Sequence, residues 1–426
     1  MSDLLVPLAS KDATDAARFG PKAASQARLA AAGLPIAGGF ALDAAAYRRQ
    51  VQSLGLEETT RRVFAADGPE ARRAALEMKL GLLDKPIADE IAAPLLEVWQ
   101  ALMAAPGAEI AVRSSALVED RADTSFAGQF ESYLGLDNEA DYFTALRACW
   151  AALWSTRALR YMASHGLDPA DTAMAAIVQP LVRARAAGGG LSRTAEGEMS
   201  LSAVAGLGAS LAQGEVVPDR IVLSRAGDLL EIEPGRKEHR EDCAHGHGAI
   251  GNRVPGEAGR PSIDAREAIE LGRLMLEAER VMGFPVEIEW ALDEVGFKLL
   301  QARPLHVAES TAPDEIWLKH PRLNGHPAGV GWGTGTARVV TCECEIGRVN
   351  AGDILVTRVA GPALAHILPL VGGVVAELGG STSHLASLAR ERGIPMVLGV
   401  NAATRRIPEG ARVAVDGVAG IVRWMR

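Results

Sequence analysis

The chain has little cysteine, few aromatic side chains and no long apolar run, and each scarcity removes a class of protein. Four cysteines in 426 residues are too few for a disulfide framework. Aromatic residues are only 4%, which argues against base stacking as the main business. Lys and Arg total 44 against 53 Asp and Glu, a formal charge of −9, so the broad basic footprint of a nucleic-acid binder is missing. No apolar stretch reaches the roughly 18 residues that span a bilayer. The opening MSDLLVPLASKDATD has neither the basic start nor the apolar core of a signal peptide. A soluble, cytoplasmic protein with no membrane or nucleic-acid partner is expected. The Gly-x-x-x-x-Gly-Lys-Ser/Thr string is also missing, which excludes a P-loop ATPase.

What is there fits a globular chain, with 48% hydrophobic and 23% charged residues. A prior of about 150 residues per domain gives two or three domains. Helical periodicity or composition predicts helices over 22–34, 69–105, 139–164 and 264–282. Strands are expected at 172–182 and 198–206, with a hairpin over 219–233 and paired strands over 285–304. The periodicity is lost over 307–329, the mark of a linker. Beyond it, short Val/Ile strands surround one helix from Ser383 to Arg392. The expected class is α/β (α+β). Cys149 reads as a small buried hydrophobe, and Cys342-Glu-Cys344 alternates as a strand does. Cys243, His245 and His247 read as a polar flap, and the GWGTGT string at 331–336 as a turn.

The sharpest chemistry lies at Gly379-Gly380-Ser381-Thr382-Ser383-His384. Paired glycines turn the backbone tightly, and Ser383 is suited to cap the helix that follows. His384 then falls in the first helical turn, where the helix dipole disfavours imidazolium and favours an anion. A neutral imidazole there is a nucleophile. A second string, VRSSALVEDRADTSFAGQFESYL at 112–134, sets an arginine and a glycine loop to offer guanidinium and N–H donors to phosphates; its Glu119 and Asp120 read equally well as surface acids. In the third, PVEIEWALDEVGFKLLQARP at 285–304, alternation puts Glu287 and Glu289 on one strand face and Gln301 and Arg303 on another. Such oxygens suit Mg²⁺ with phosphate.

GGSTSHLASLARERGIPMVLG resembles the swivelling phosphohistidine domain of the phosphoenolpyruvate synthase and pyruvate phosphate dikinase family, to which rifampin phosphotransferase is related. The N-terminal part resembles that family's ATP-grasp module. The resemblance implies that His384 is transiently phosphorylated and that Thr382 sits where some dikinases are regulated. It implies that Lys22 of Phe19-Gly20-Pro21-Lys22 and Arg113 contact nucleotide phosphates, that Gly128 and Ser132 lie in the covering loop, and that Gln179 reads the adenine edge. Glu289 and Gln301, twelve residues apart (301 − 289), are implied Mg²⁺-ATP ligands, with Arg303 a phosphate clamp. Pro21, Arg193 and Ala209 depart from the family's pattern.

The implied organisation is an ATP-grasp domain over 1–306, a linker over 307–326 and a mobile phosphohistidine domain over 327–426. No pyruvate-binding barrel is recognisable. The expected function is an ATP-dependent dikinase-type phosphotransferase using ATP and Mg²⁺, which passes its phosphoryl group to a small-molecule acceptor. The alternative is a phosphocarrier component whose acceptor domain is on a separate protein.

Overall fold

A computed structural model describes residues 3–65, 68–120, 126–236, 259–307 and 315–425. The chain gathers into two compact units, Met1–Val182 with Lys298–Arg303, and Arg183–Phe297 with Pro304–Arg426. Helices and sheets mix in both, which is the expected α/β class.

The first unit is built on an antiparallel sheet. Its strands run, edge to edge, Leu5–Pro7, Phe40–Leu42, Met174–Pro180, Ile110–Ala116 and Ser132–Leu136. The central Met174–Pro180 and Ile110–Ala116 are the deeply buried strands of this sheet, with Ile110, Val112, Ile177 and Val178 fully buried. The segment 298–303 joins this unit through Leu299, whose N–H donates to the carbonyl of Pro35 at 2.8 Å.

Two helices expected to be continuous are each broken in two. The 69–105 region forms Pro69–Asp84 and Asp89–Leu102. Lys85 between them is extended (φ −90°, ψ 145°) because Pro86 disfavours helical backbone in the residue before it. The 139–164 region forms Glu139–Ala152 and Thr156–Ser164, and Ser155 caps the second through its hydroxyl. Cys149 is fully buried, as read from its apolar setting.

In the second unit, Val286–Leu292, Ala186–Leu191, Met199–Ala205, Asp219–Leu223 and Leu229–Glu233 are successive antiparallel neighbours. The helix Ala265–Met282 opens with a capping box between Asp264 and Glu267. A second sheet holds the C-terminal strands. Trp332–Val340, Ile354–Thr357, Gly373–Ala376 and Met396–Leu398 pair in parallel, and Arg412–Asp416 and Ile421–Trp424 add antiparallel neighbours. Ile354, Val356, Val375, Val397, Val413 and Val415 form its core.

Three C-terminal readings are corrected. Apart from Gly331, a bend at φ 69°, the GWGTGT string lies in the strand Trp332–Val340 and not in a turn, and Gly333 and Gly335 reflect close packing. A Cβ on Gly333 would stand 2.0 Å from the carbonyl oxygen of Gly372. Cys342-Glu-Cys344 is not a strand: Cys342 caps the short 3-10 helix Glu343–Arg348. Within the expected linker, Arg322–Asn324 pairs with Ile421–Trp424, and Leu323 is buried in the sheet's core. Residues 308–314 of that segment lie outside the described residues, as do 121–125 and the Cys243, His245 and His247 loop.

Candidate active site

In the first unit the site begins at a kink. The helix Ala16–Ala31 is interrupted at Gly20, whose φ of 77° and ψ of 160° are not helical. A Cβ there would meet the Ser115 carbonyl oxygen and hydroxyl at 2.3 Å, so only glycine fits. Pro21 follows as the first residue of the resumed helix, where its fixed φ is already suitable and its missing N–H costs nothing. That accounts for the proline departure. Lys22 consequently lies in the first turn after the kink, and the Ser115 hydroxyl accepts from the Ala23 N–H at 3.3 Å.

Lys22 Nζ is 3.1 Å from Glu119 Oε2. The other oxygen of Glu119 accepts from the Ala116 N–H at 2.7 Å. Burial pushes the Glu119 carboxyl up to about 7, reinforced by neighbouring Asp120 and opposed by Lys22. Asp120 is also buried and sits at φ 51°, a left-handed conformation that aspartate tolerates better than most residues. The reading of these two as surface acids is therefore corrected.

Around Asp120 the expected phosphate residues converge. Gln301 Nε2 donates to Asp120 Oδ2 at 2.6 Å, and Arg303 Nη1 is 3.9 Å from Asp120 Oδ1. Arg113 donates to the Leu300 carbonyl at 2.8 Å and to Gln301 Oε1 at 3.4 Å. Ser132 is the cross-strand partner of Arg113, and Gly128 takes a φ of 66°. This gathers lysine, two arginines, an amide and two acids in one unit, a set suited to a polyphosphate and its counterions. Gln179 is engaged differently. Its amide nitrogen donates to Gln26 Oε1 at 2.9 Å and to the Gly38 carbonyl at 2.8 Å, which uses both amide hydrogens and leaves only the oxygen for a ligand.

In the second unit, His384 opens the helix His384–Glu391, and the Ser383 hydroxyl caps it by accepting from the Ala386 N–H at 3.4 Å. Gly379 supplies the positive φ of 100° that turns the chain into it. Glu289 lies mid-strand and is the cross-strand partner of Gly189. Its neighbour Glu287 is buried with Ser387 and Arg390 of the His384 helix. Nothing local in the sequence pointed to that partnership. Among the described residues no three His, Cys, Asp or Glu side chains gather as a metal cage.

The same two regions stand out when the chain is compared with known proteins. Residues 16–320, more than half of the chain, match the family profile described as pyruvate phosphate dikinase, AMP/ATP-binding domain. The chain belongs to the pyruvate phosphate dikinase AMP/ATP-binding family. Residues 349–420 match a second profile, the mobile domain of PEP-utilising enzymes, and contain His384. The chain is 31% identical to the phosphoenolpyruvate synthase of Aeropyrum pernix over 95% of its own length and 56% of that protein's. It is 33% identical to the Neisseria meningitidis enzyme of the same name, over 96% of this chain and 56% of the relative. The corresponding Escherichia coli protein is 30% identical, over 95% and 55%. The chain thus spans a little over half the length of these relatives. No helix among the described residues is long and apolar enough to cross a membrane.

Proposed function

We propose that this chain is the ATP-charging part of a dikinase-type phosphotransferase, with residues 1–306 receiving the nucleotide and residues 327–426 carrying the phosphohistidine. The observation that carries the reading is His384 at the first position of a capped helix, entered through Gly379-Gly380, in a chain whose other unit gathers Lys22, Arg113, Gln301 and Arg303.

A ring nitrogen of His384 attacks the β-phosphorus of ATP. The N–P bond forms as the bond from that phosphorus to the oxygen of the α-phosphate breaks, and AMP leaves. Water then removes the former γ-phosphoryl group as orthophosphate, leaving phosphohistidine. Charge stabilisation is the main task in such transfers. Lys22, Arg113 and Arg303 supply it as fixed cations. The acid Glu119 holds Lys22 in the absence of nucleotide, and Gln301 orients Arg113 while being held by Asp120. Gly128 belongs to the covering loop, Ser132 stands not in that loop but at the first position of the strand Ser132–Leu136, paired with Arg113, and Gln179 offers its amide oxygen to the base. Glu289 and Gln301 would each offer a hard oxygen to Mg²⁺, which when bound would neutralise phosphate charge. The N–H groups at the start of the His384 helix stabilise the phosphoryl group on the imidazole.

The phosphoryl group then passes to a small-molecule acceptor with an oxygen nucleophile. The relatives are named for phosphoenolpyruvate synthesis, which makes an enolate the first acceptor to test. Phosphorus NMR of the reaction separates the possibilities. AMP and orthophosphate in equal amounts support the dikinase course. ADP as the sole nucleotide product contradicts it.

A further inference from the structure

A buried charged network joins the His384 helix to the strand Val286–Leu292. Arg390 Nη2 donates to Glu287 Oε2 at 2.9 Å and to Ser387 Oγ at 3.1 Å. Its Nη1 donates to the carbonyl oxygens of Ser381 at 2.6 Å and Ala328 at 3.1 Å. The Ser387 hydroxyl lies 2.7 Å from each oxygen of Glu287. The Arg390 and Glu287 side chains are both only 6% exposed. One guanidinium therefore grips the turn that carries His384, since Ser381 is three residues before it, and ties that turn to an acid about a hundred residues away in sequence.

Beside the network the strand Ala186–Leu191 makes room. A Cβ on Gly189 would stand 2.5 Å from the Cβ of Thr382, so the turn rests on bare backbone. Gly189 pairs across the sheet with Glu289, and Leu191 with Glu287. The turn bearing His384 thus lies over the strand pair at the level of the proposed Mg²⁺ ligand.

We propose that Gly189 and Glu287 form a seat for the phosphohistidine turn, and that Arg390 is the positioning residue that fits His384 into it. This deepens the proposed charging of His384 and rests on it. Burying an ion pair is a poor way to gain stability, because desolvation offsets the attraction, whereas breaking it by removing one partner is costly. Its value lies in register: a turn that slides off the seat strands a buried charge on each side. Seating therefore selects one placement of the histidine for attack.

Two variants test this, Glu287→Gln, which keeps shape and removes charge, and Gly189→Ala, which adds a methyl group under Thr382. The rate at which β-labelled ATP labels His384 should fall about 30-fold or more in Glu287→Gln and should also fall in Gly189→Ala. ATP affinity should stay within about twofold in both, and the Mg²⁺ concentration for half-maximal labelling should not move. Hydrogen exchange supplies a readout that needs no chemistry. Amides of 381–387 and of 186–191 should open together in both variants, with those of 412–416 unchanged.

A higher Mg²⁺ midpoint in Glu287→Gln, with the rate restored at high Mg²⁺, would make Glu287 a metal ligand and overturn the seat. Wild-type labelling rates with unchanged exchange in both variants would overturn it as well. If the wild-type chain takes no label at all, the charging reading fails, and the exchange pattern alone decides the seat.

Discussion

Lys22 Nζ lies 3.1 Å from Glu119 Oε2, and the carboxyl that holds it is completely buried. In the charging mechanism that acid competes with the triphosphate for the same lysine. Burial raises Glu119 to about 7, so its protonation changes across the neutral range. As pH rises through that value the acid ionises and holds Lys22 more strongly. ATP affinity should therefore weaken with rising pH in wild type, by up to about tenfold. Glu119→Gln should bind ATP more tightly at pH 8 and lose that part of the pH dependence. Titrations of both proteins between pH 6 and 8 check this, the titration of ATP itself being common to the two. Parallel profiles would contradict it.

The same shift enters stability. A carboxyl with its folded value near 7 and its ordinary value at 4.5 keeps its proton in the folded chain across that window. Its contribution to stability is therefore lost as pH rises from 4.5 to 7. His326 acts in the opposite direction. Burial, with Arg220 and Arg236 nearby, lowers it from 6.5 to about 4, so its contribution is lost as pH falls from 6.5 to 4. Denaturant unfolding at several pH values should show a shallower loss below pH 6.5 in His326→Gln, and a shallower loss toward pH 7 in Glu119→Gln. Unchanged slopes would count against each assignment.

Gly20→Ala should destabilise the first unit by at least about 2 kcal/mol, because it combines a left-handed φ with a collision against the Ser115 carbonyl. Urea unfolding measures this. A change within about 0.5 kcal/mol, as at an ordinary surface site, would show that the kink relaxes without cost and that Lys22 is not held by it.

Glu289→Gln should reduce metal-dependent labelling of His384 by about 100-fold, the scale of losing one charge-stabilising group, and leave the denaturation midpoint unchanged. Labelling at the wild-type rate would remove Glu289 from the proposed site.

Much of this arrangement was legible in the sequence wherever the governing contacts are local. The Ser383 cap, the glycine turn before His384 and the short Val/Ile strands each rest on neighbouring residues. So does the break at Lys85-Pro86, although the alanine and leucine pattern around it read as unbroken. Contacts between distant residues stayed hidden. Asp120 meets Gln301 across 181 residues, and Glu287 meets Arg390 across 103, so one acid read as turn surface and the other as a strand face. The GWGTGT glycines suggested a turn because the carbonyl of Gly372 that forbids a side chain at Gly333 comes from another strand. Gln179 was placed correctly at a strand end, but the commitment of its amide hydrogens to Gln26 and Gly38 depends on folds of the chain that periodicity does not reveal.

The central claim, that His384 is a covalent carrier of the β-phosphoryl group, is tested most directly with ATP labelled at the β-phosphate. The protein should retain label that is labile to acid and stable to base, as a phosphoramidate is. His384→Ala should lose both the label and AMP formation while still binding ATP, since Lys22, Arg113, Gln301 and Arg303 are untouched. Label retained by the alanine variant, or a wild-type chain that releases ADP and stays unlabelled, would contradict the account.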